Sequence, residues 1–301
     1  MTPIDPSEAE TSEISAAPSA PLAAEKPRKR MSGPARFLFF LVAWLVVLLP
    51  FLFWRGTWFG RSLSDAEVSQ YFAENDKPRH IQHALVQVGE RMARGDKGAG
   101  RWYPELVRLA THPVEEIRTT DAWVMGQDAT RPEFHQALRT MLADASPMVR
   151  GNAALSLVRF GDDAGHAQIV ELLKPVVITA PRAGRIAALA RAGEPANHGT
   201  MLARIEAIEA GGEAAEVRAP ITGRVRSLAA KQGADVAAGA ELLTLDPGTE
   251  QVWEALRALY LIGRPEDLPL VESYHRPSRD LPQRIQHQAA ETAGAIKSRQ
   301  K

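Results

Sequence analysis

Hydrophobic and polar positions divide the chain into distinct stretches. From Phe37 to Trp54 no residue carries a charge; as a helix rising ~1.5 Å per residue, such a run crosses most of a hydrocarbon core of roughly 30 Å. From Leu63 to about Leu173 apolar residues recur at helical spacing, interrupted every few turns by Pro, Gly or Asp. This predicts helices over 65–73, 81–94, 104–111, 114–127, 132–142, 147–160 and 164–173. From Val176 to Asp246 the text changes to short runs of β-branched and apolar residues separated by glycines, the pattern of strands. Helical spacing returns at Val252, Ala255, Leu256, Leu259 and Val271, and Ile285, Ala289, Ala293 and Ile296 mark one face of a last amphipathic helix.

The strand region states nearly the same pattern twice. Ala180-Pro181-Arg182-Ala183-Gly184-Arg185-Ile186 is followed by Leu189, Gly193, Gly199, Leu202 and Ile205. Ala219-Pro220-Ile221-Thr222-Gly223-Arg224-Val225 is followed by Leu228, Gly233, Gly239, Leu242 and Leu245. Neither half can bury a face alone, so the two are expected to pack as a pseudo-twofold sandwich. Gly184, Gly193, Gly199, Gly223, Gly233 and Gly239 are expected where the backbone turns with positive φ. Arg185 and Arg224 occupy matching places, which points to a structural role common to both halves.

This doubled pattern resembles the biotinyl/lipoyl-like domain, a flattened barrel that also forms part of bacterial membrane-fusion (periplasmic adaptor) proteins. In the carrier branch of that family, the hairpin between the halves presents a lysine, usually between two methionines, for biotin or lipoate. The corresponding segment here, 206–216, contains neither lysine nor methionine. Amide formation needs a primary amine, so no attached cofactor is expected. The segment is also far too short for the long α-hairpin of membrane-fusion proteins, and no β-barrel domain follows, which argues against a transport-channel role.

The helical text repeats as well. Ile117, Arg118 and Ala122 fall in step with Val149, Arg150 and Ala154, and the phrase Asp144-Ala145-Ser146-Pro147-Met148-Val149-Arg150 followed by Ala153-Ala154, Leu157 and Gly161-Asp162 resembles a HEAT repeat and its bilin-lyase-like relatives. Val252, Ala255, Leu256, Leu259 and Gly263 repeat Arg150, Ala153, Ala154, Leu157 and Gly161 after a constant offset. The β module therefore reads as inserted between two repeats of one solenoid. The expected class is α+β: a HEAT-type solenoid over 63–174 and 249–273, an inserted lipoyl-like β sandwich (barrel-sandwich hybrid) over 176–247, a C-terminal helix over 281–301, and one transmembrane helix over 37–54.

Residues 1–33, rich in Pro, Ala, Ser and Glu, read as a disordered tail. Lys26, Arg28, Lys29, Arg30 and Arg36 precede the apolar run, against Arg55 and Arg61 after it. The positive-inside rule then places the tail in the cytoplasm and the remainder outside, as a single-pass protein of the inner membrane. Net charge is zero, so nothing global points to nucleic acid. Cysteine is absent, which excludes disulfides, thiolate metal sites and a cysteine nucleophile.

Little in the sequence suggests chemistry. His80 and His83 fall three apart on an expected helix with Glu90 further along, a spacing that could hold a metal but is more often a polar helix surface. The deoxyhypusine hydroxylases, a HEAT-repeat enzyme family, bind iron through His-Glu dipeptides, and none occurs here. There is no Gly-x-Ser-x-Gly elbow, Walker-type loop or His-Glu-x-x-His helix. Arg118, Arg150, Trp102 and Trp123 are the candidate repeat-surface contacts, although the arginines also suit pairing between repeats and the tryptophans suit packing. The function expected is thus a non-enzymatic, membrane-anchored scaffold or adaptor of the bacterial envelope. Its partners would be the membrane through 37–54 and other envelope proteins; no metal or cofactor is expected, and nothing points to a particular oligomeric state. The alternative is a cofactor-handling or metal-dependent, lyase-like enzyme using the concave face of the repeats.

Overall fold

The computed structural model describes residues 33–57, 61–207, 213–276 and 281–300. The expected tail, and positions 208–212 of the hairpin without lysine, lie outside the described residues. Among the described residues the fold is α+β, with eleven α-helices and two small antiparallel sheets. The chain divides into two units, 1–61 and 62–301.

The first unit holds α1 (Gly33–Thr57), with Pro50 inside it. Its described side chains, Phe37 to Phe51, are almost all exposed. Among the described residues no helix is long and apolar enough to cross a membrane. The single-pass span expected at 37–54 and the inner-membrane location are corrected accordingly.

In the second unit the helices form two layers. α2 (Asp65–Ala73) packs on α3 (Pro78–Ala93), and α3, α5 (Glu115–Met125), α7 (Pro147–Arg159), α9 (Thr249–Ile262) and α11 (Gln283–Ser298) follow one another side by side. Against these lie α4 (Tyr103–Leu109), α6 (Pro132–Met141), α8 (His166–Glu171) and α10 (Leu268–His275). Local sequence sets the helix starts. Ser64 and Glu67 make a reciprocal capping box at α2, and Ser146 Oγ accepts the Met148 and Val149 N–H groups at α7, where Pro147 needs no donor partner.

Between α8 and α9 the chain makes eight strands: β1 (Val176–Thr179), β2 (Gly184–Leu189), β3 (Pro195–Ala196), β4 (Met201–Glu206), β5 (Ala215–Arg218), β6 (Gly223–Leu228), β7 (Asp235–Val236) and β8 (Glu241–Pro247). One sheet has the order β1-β8-β6-β3 and the other β5-β4-β2-β7. Exchanging the first four strands with the last four turns one order into the other. The irregularity in β2 between Ile186 and Ala188 recurs in β6 between Val225 and Ser227. Between the sheets lie matching pairs such as Ile178 with Val217, Ile186 with Val225 and Ile205 with Leu245.

The glycines of this module serve two purposes. Gly193, Gly199, Gly233 and Gly239 have φ between 78° and 85°, a region costly for residues with a Cβ. Gly184 and Gly223 do not turn with positive φ, contrary to expectation; they begin strands pressed against a neighbouring strand's backbone. A Cβ on Gly184 would lie 2.3 Å from the Glu206 carbonyl oxygen, and one on Gly223 would lie 1.9 Å from that of Asp246.

Gly223→Ala is accordingly expected to destabilise the protein by about 2 kcal/mol or more, because β6 and β8 must separate to admit a methyl group. Gly239→Ala, where nothing lies within 4 Å of the added Cβ, is expected to cost only ~1 kcal/mol of backbone strain. Urea unfolding of both variants, compared at equal slope, checks the order.

Candidate functional site

A groove of about 900 Å³ crosses α5, α7, α9 and α11. Small side chains set its depth: Ser156 on α7, Ala258 on α9 and Ala295 on α11. Large exposed ones form its walls, with Trp123 45%, Tyr260 45% and Leu261 60% exposed.

The floor is held by side chains that reach from one helix to the carbonyls of its neighbour. On α7, Asn152 Nδ2 donates to the Thr119 carbonyl (3.0 Å), Ser156 Oγ to Ala122 (2.8 Å) and Arg159 Nη1 to Gly126 (3.1 Å). On the α11 side, Thr292 Oγ1 donates to Leu256 (2.9 Å) and the Arg299 guanidinium to Tyr260 (2.7 Å) and Gly263 (2.9 Å). Residue numbers rise together along both pairs, so α5 and α7 run parallel, as do α9 and α11. The two arginines cover carbonyls at helix C-terminal ends, where donors are scarce and a positive charge is favoured.

This leaves the groove poor in reactive groups. Ser156 donates to a carbonyl and has no base beside it, and no histidine lines the groove. Its charges are Glu254 and Glu291, each in the body of its helix, and Arg159 and Arg257. Such a surface can hold a chain by shape, apolar contact and charge, but contains no nucleophile–base pair.

The four candidate contacts separate. Trp123 stands in the groove wall. Trp102 is no surface contact: it is 3% exposed, its Nε1–H donates to Ser69 Oγ (2.9 Å), and the Arg91 and Arg101 guanidinium groups lie 5.0 and 5.3 Å from its ring. Arg118 and Arg150 are bracing groups rather than surface contacts. Arg118 pairs with both carboxylate oxygens of Asp144 (2.7 and 2.9 Å) and donates to the His112 and Pro113 carbonyls; Arg150 donates to those of Asp144 and Ala145. The Arg118 hydrogen bonds hold the Asp144 carboxyl below its usual range.

The six module glycines shape the β sandwich and lie outside the groove lining. Arg185 pairs with Asp235 at 3.0 Å, whereas Arg224 donates to the Gly193 carbonyl. His80 stacks on Tyr71 (4.2 Å between centroids) and bonds Glu74, while His83 is buried, its ring 6.0 Å from that of Tyr71. Among the described residues no group of three metal-ligating side chains comes together.

Other features escaped sequence reasoning. Tyr260 and Leu261 were visible only as apolar residues off the buried stripe Val252, Leu256 and Leu259. Asp121 is fully buried on α5, neither carboxyl oxygen has a hydrogen-bond partner, and burial raises its pKa well above the usual value. Its signal was an acid in the slot that alanine fills at Ala153. The β module also touches the helices through His198, whose Nε2 lies 3.1 Å from Glu115 Oε1, the oxygen that also accepts Ser146 Oγ–H.

No family model matches the chain. No curated protein matches it either. A solved structure described as a single-chain, multi-domain long-chain acyl-CoA carboxylase aligns with 34% of this chain at 20% identity and a TM-score of 0.23. The alignment covers 11% of that chain, and nothing about function follows from so slight a likeness.

Asp121 and Arg118 are expected to have opposite pH signatures. Burial raises the Asp121 pKa in the folded state, whereas the unfolded side chain loses its proton near pH ~4. Its favourable contribution is thus present below that pH and lost as pH rises towards the raised folded value. Asp121→Ala should therefore gain stability over the parent as pH is raised above ~4. Asp144 is depressed when folded, so the Arg118 pair contributes fully above the unfolded pKa and its contribution fades as pH falls through the folded value. Arg118→Ala should cost about 3 kcal/mol at neutral pH, less in acid. Urea titrations across pH 3 to 8 read both; parallel stability curves for parent and variants would refute the assignments.

Proposed function

We propose that this chain is a non-enzymatic scaffold or adaptor that holds a segment of another protein in the groove across α5, α7, α9 and α11. The observation that carries this reading is the exposed set Trp123, Tyr260 and Leu261 over a floor whose polar atoms are already bonded between helices. Aromatic side chains exposed in a concave surface are the usual anchors of protein contacts.

Charge selects the occupant. Glu254 lies towards the end of the groove shared with the β module, and Arg159 is the last residue of α7. Glu254 is met by Arg257 at 3.5 Å, so a partner segment with apolar residues in the middle and an acid towards Arg159 complements the groove. The reading takes the helical pairs as HEAT-type repeats and the double sheet as a lipoyl-like module without its attachment lysine. The paired sheet orders and the repeated Arg118 and Arg150 bonds support it.

A photo-crosslinking amino acid placed at Trp123 of the full chain, in its own cells, is expected to give one discrete protein adduct. Leu261→Glu, an exposed change, should reduce its yield about tenfold, equivalent to ~1.4 kcal/mol of binding. An adduct indifferent to Leu261→Glu, or none at all, would overturn the proposal.

A further inference from the structure

A second concavity, of about 1050 Å³, lies where the β module meets the helices. One wall comes from α7, the α8–β1 connection and α10, and the other from β6, β8 and the start of α9. It adjoins the groove, sharing Asn152, Leu155 and Glu254, but its chemistry differs. Met148, Leu155, Leu172, Leu173, Leu270 and Leu281 make it predominantly apolar.

Its polar lining is largely satisfied from within. Gln251 Nε2 donates to the Leu172 carbonyl (2.9 Å), the Tyr274 hydroxyl to Leu173, Ser273 Oγ to Leu270 (2.6 Å) and the Gly248 N–H to Thr222 (2.9 Å). Burial, reinforced by the Asp246 charge, pushes the Tyr274 hydroxyl up to about 12, which keeps it a neutral donor. Water in this cleft finds few free partners, so an apolar body can displace it at little cost.

The cleft lining also carries charge. Asp246 pairs with Arg226 (2.6 Å), Glu250 with Arg284 and Glu254 with Arg257 (3.5 Å). Arg224 also lines the cleft; its guanidinium meets the Gly193 carbonyl, and among the described residues no carboxylate pairs with it. We infer that the cleft binds an amphipathic small molecule with a hydrocarbon body and a single carboxylate, the body lying on the leucines and the head at Arg224. The inference is independent of the groove and its protein partner.

The test is calorimetric titration of the full chain with dodecanoate below its micelle concentration, with dodecanol as the uncharged control. Ser273→Trp, at an exposed position on α10, fills the cleft; Thr222→Trp, on the opposite wall, fills it independently should the first variant fold poorly. The expected result is one saturable site lost in a filled variant that keeps the parent's melting temperature. Arg224→Gln should weaken dodecanoate about tenfold and leave dodecanol unchanged, and Leu261→Glu, in the groove, should change neither. Binding that survives the filled variants is the baseline from other apolar surfaces, α1 included. If all dodecanoate binding survives in a well-folded filled variant, or none saturates, the inference is wrong. It also fails if Ser273→Trp abolishes the protein adduct at Trp123 while dodecanoate does not bind, since a protein side chain then occupies the cleft.

Discussion

The antiparallel pairing of β1 with β8 is the constraint from which the second unit follows. Val176 faces Leu245 across that ladder, so the module's first and last strands are neighbours and the chain leaves close to where it entered. α9 can therefore pack on α7 and α8 despite the intervening β strands. Three contacts close this junction at the same sequence separation: His166 with Asp267 (2.7 Å), Arg264 with Asp163 (2.9 Å) and Tyr274 with the Leu173 carbonyl. The core runs on as well, Ile169 and Leu173 joining Leu256, Val271 and Ile285. A module whose ends were apart would break both the core and the groove above it.

Within the module, stability comes from reciprocity. The N–H of Gly199 donates to Ala219 (2.9 Å) and that of Gly239 to Ala180 (2.8 Å); Gly193 donates to Val225 (2.7 Å) and Gly233 to Ile186 (2.8 Å). Each turn of one half thus bonds the backbone of the other, and glycine lets the chain turn there with positive φ. Short strands of two residues, such as β3 and β7, persist because their ends are held this way.

Legibility in the sequence followed how local each cause was. The start of α7 could be read from Ser146 and Pro147, because cap and turn lie within a few residues of one another. The doubled strand pattern also announced itself, since the equivalent residues Ile186 and Val225 share one environment. Close approach was harder: Gly184 and Gly223 look like turn glycines, and only the position of a distant strand shows that they are spacers. Trp102 misleads for the same reason, because its partners Ser69 and Arg91 come from other elements. The apolar run at 37–54 suggested a membrane span from hydropathy alone, whereas no helix among the described residues is long and apolar enough to cross a membrane.

The groove shows why its binding residues were the least legible. Its walls are defined by what neighbouring helices withhold rather than by what they supply. Gly89 on α3 has no side chain, and an added Cβ would lie 3.1 Å from the Trp123 ring, so α3 supports one side of that ring while the other stays open. On α7, Ser156 is short enough to turn back to the Ala122 carbonyl, which keeps α5 and α7 close and leaves the space above unfilled. Small residues in the floor and bracing bonds between helices consequently leave Trp123, Tyr260 and Leu261 as the groups able to act on a partner. A periodicity that locates buried stripes marks such residues only as exceptions to it.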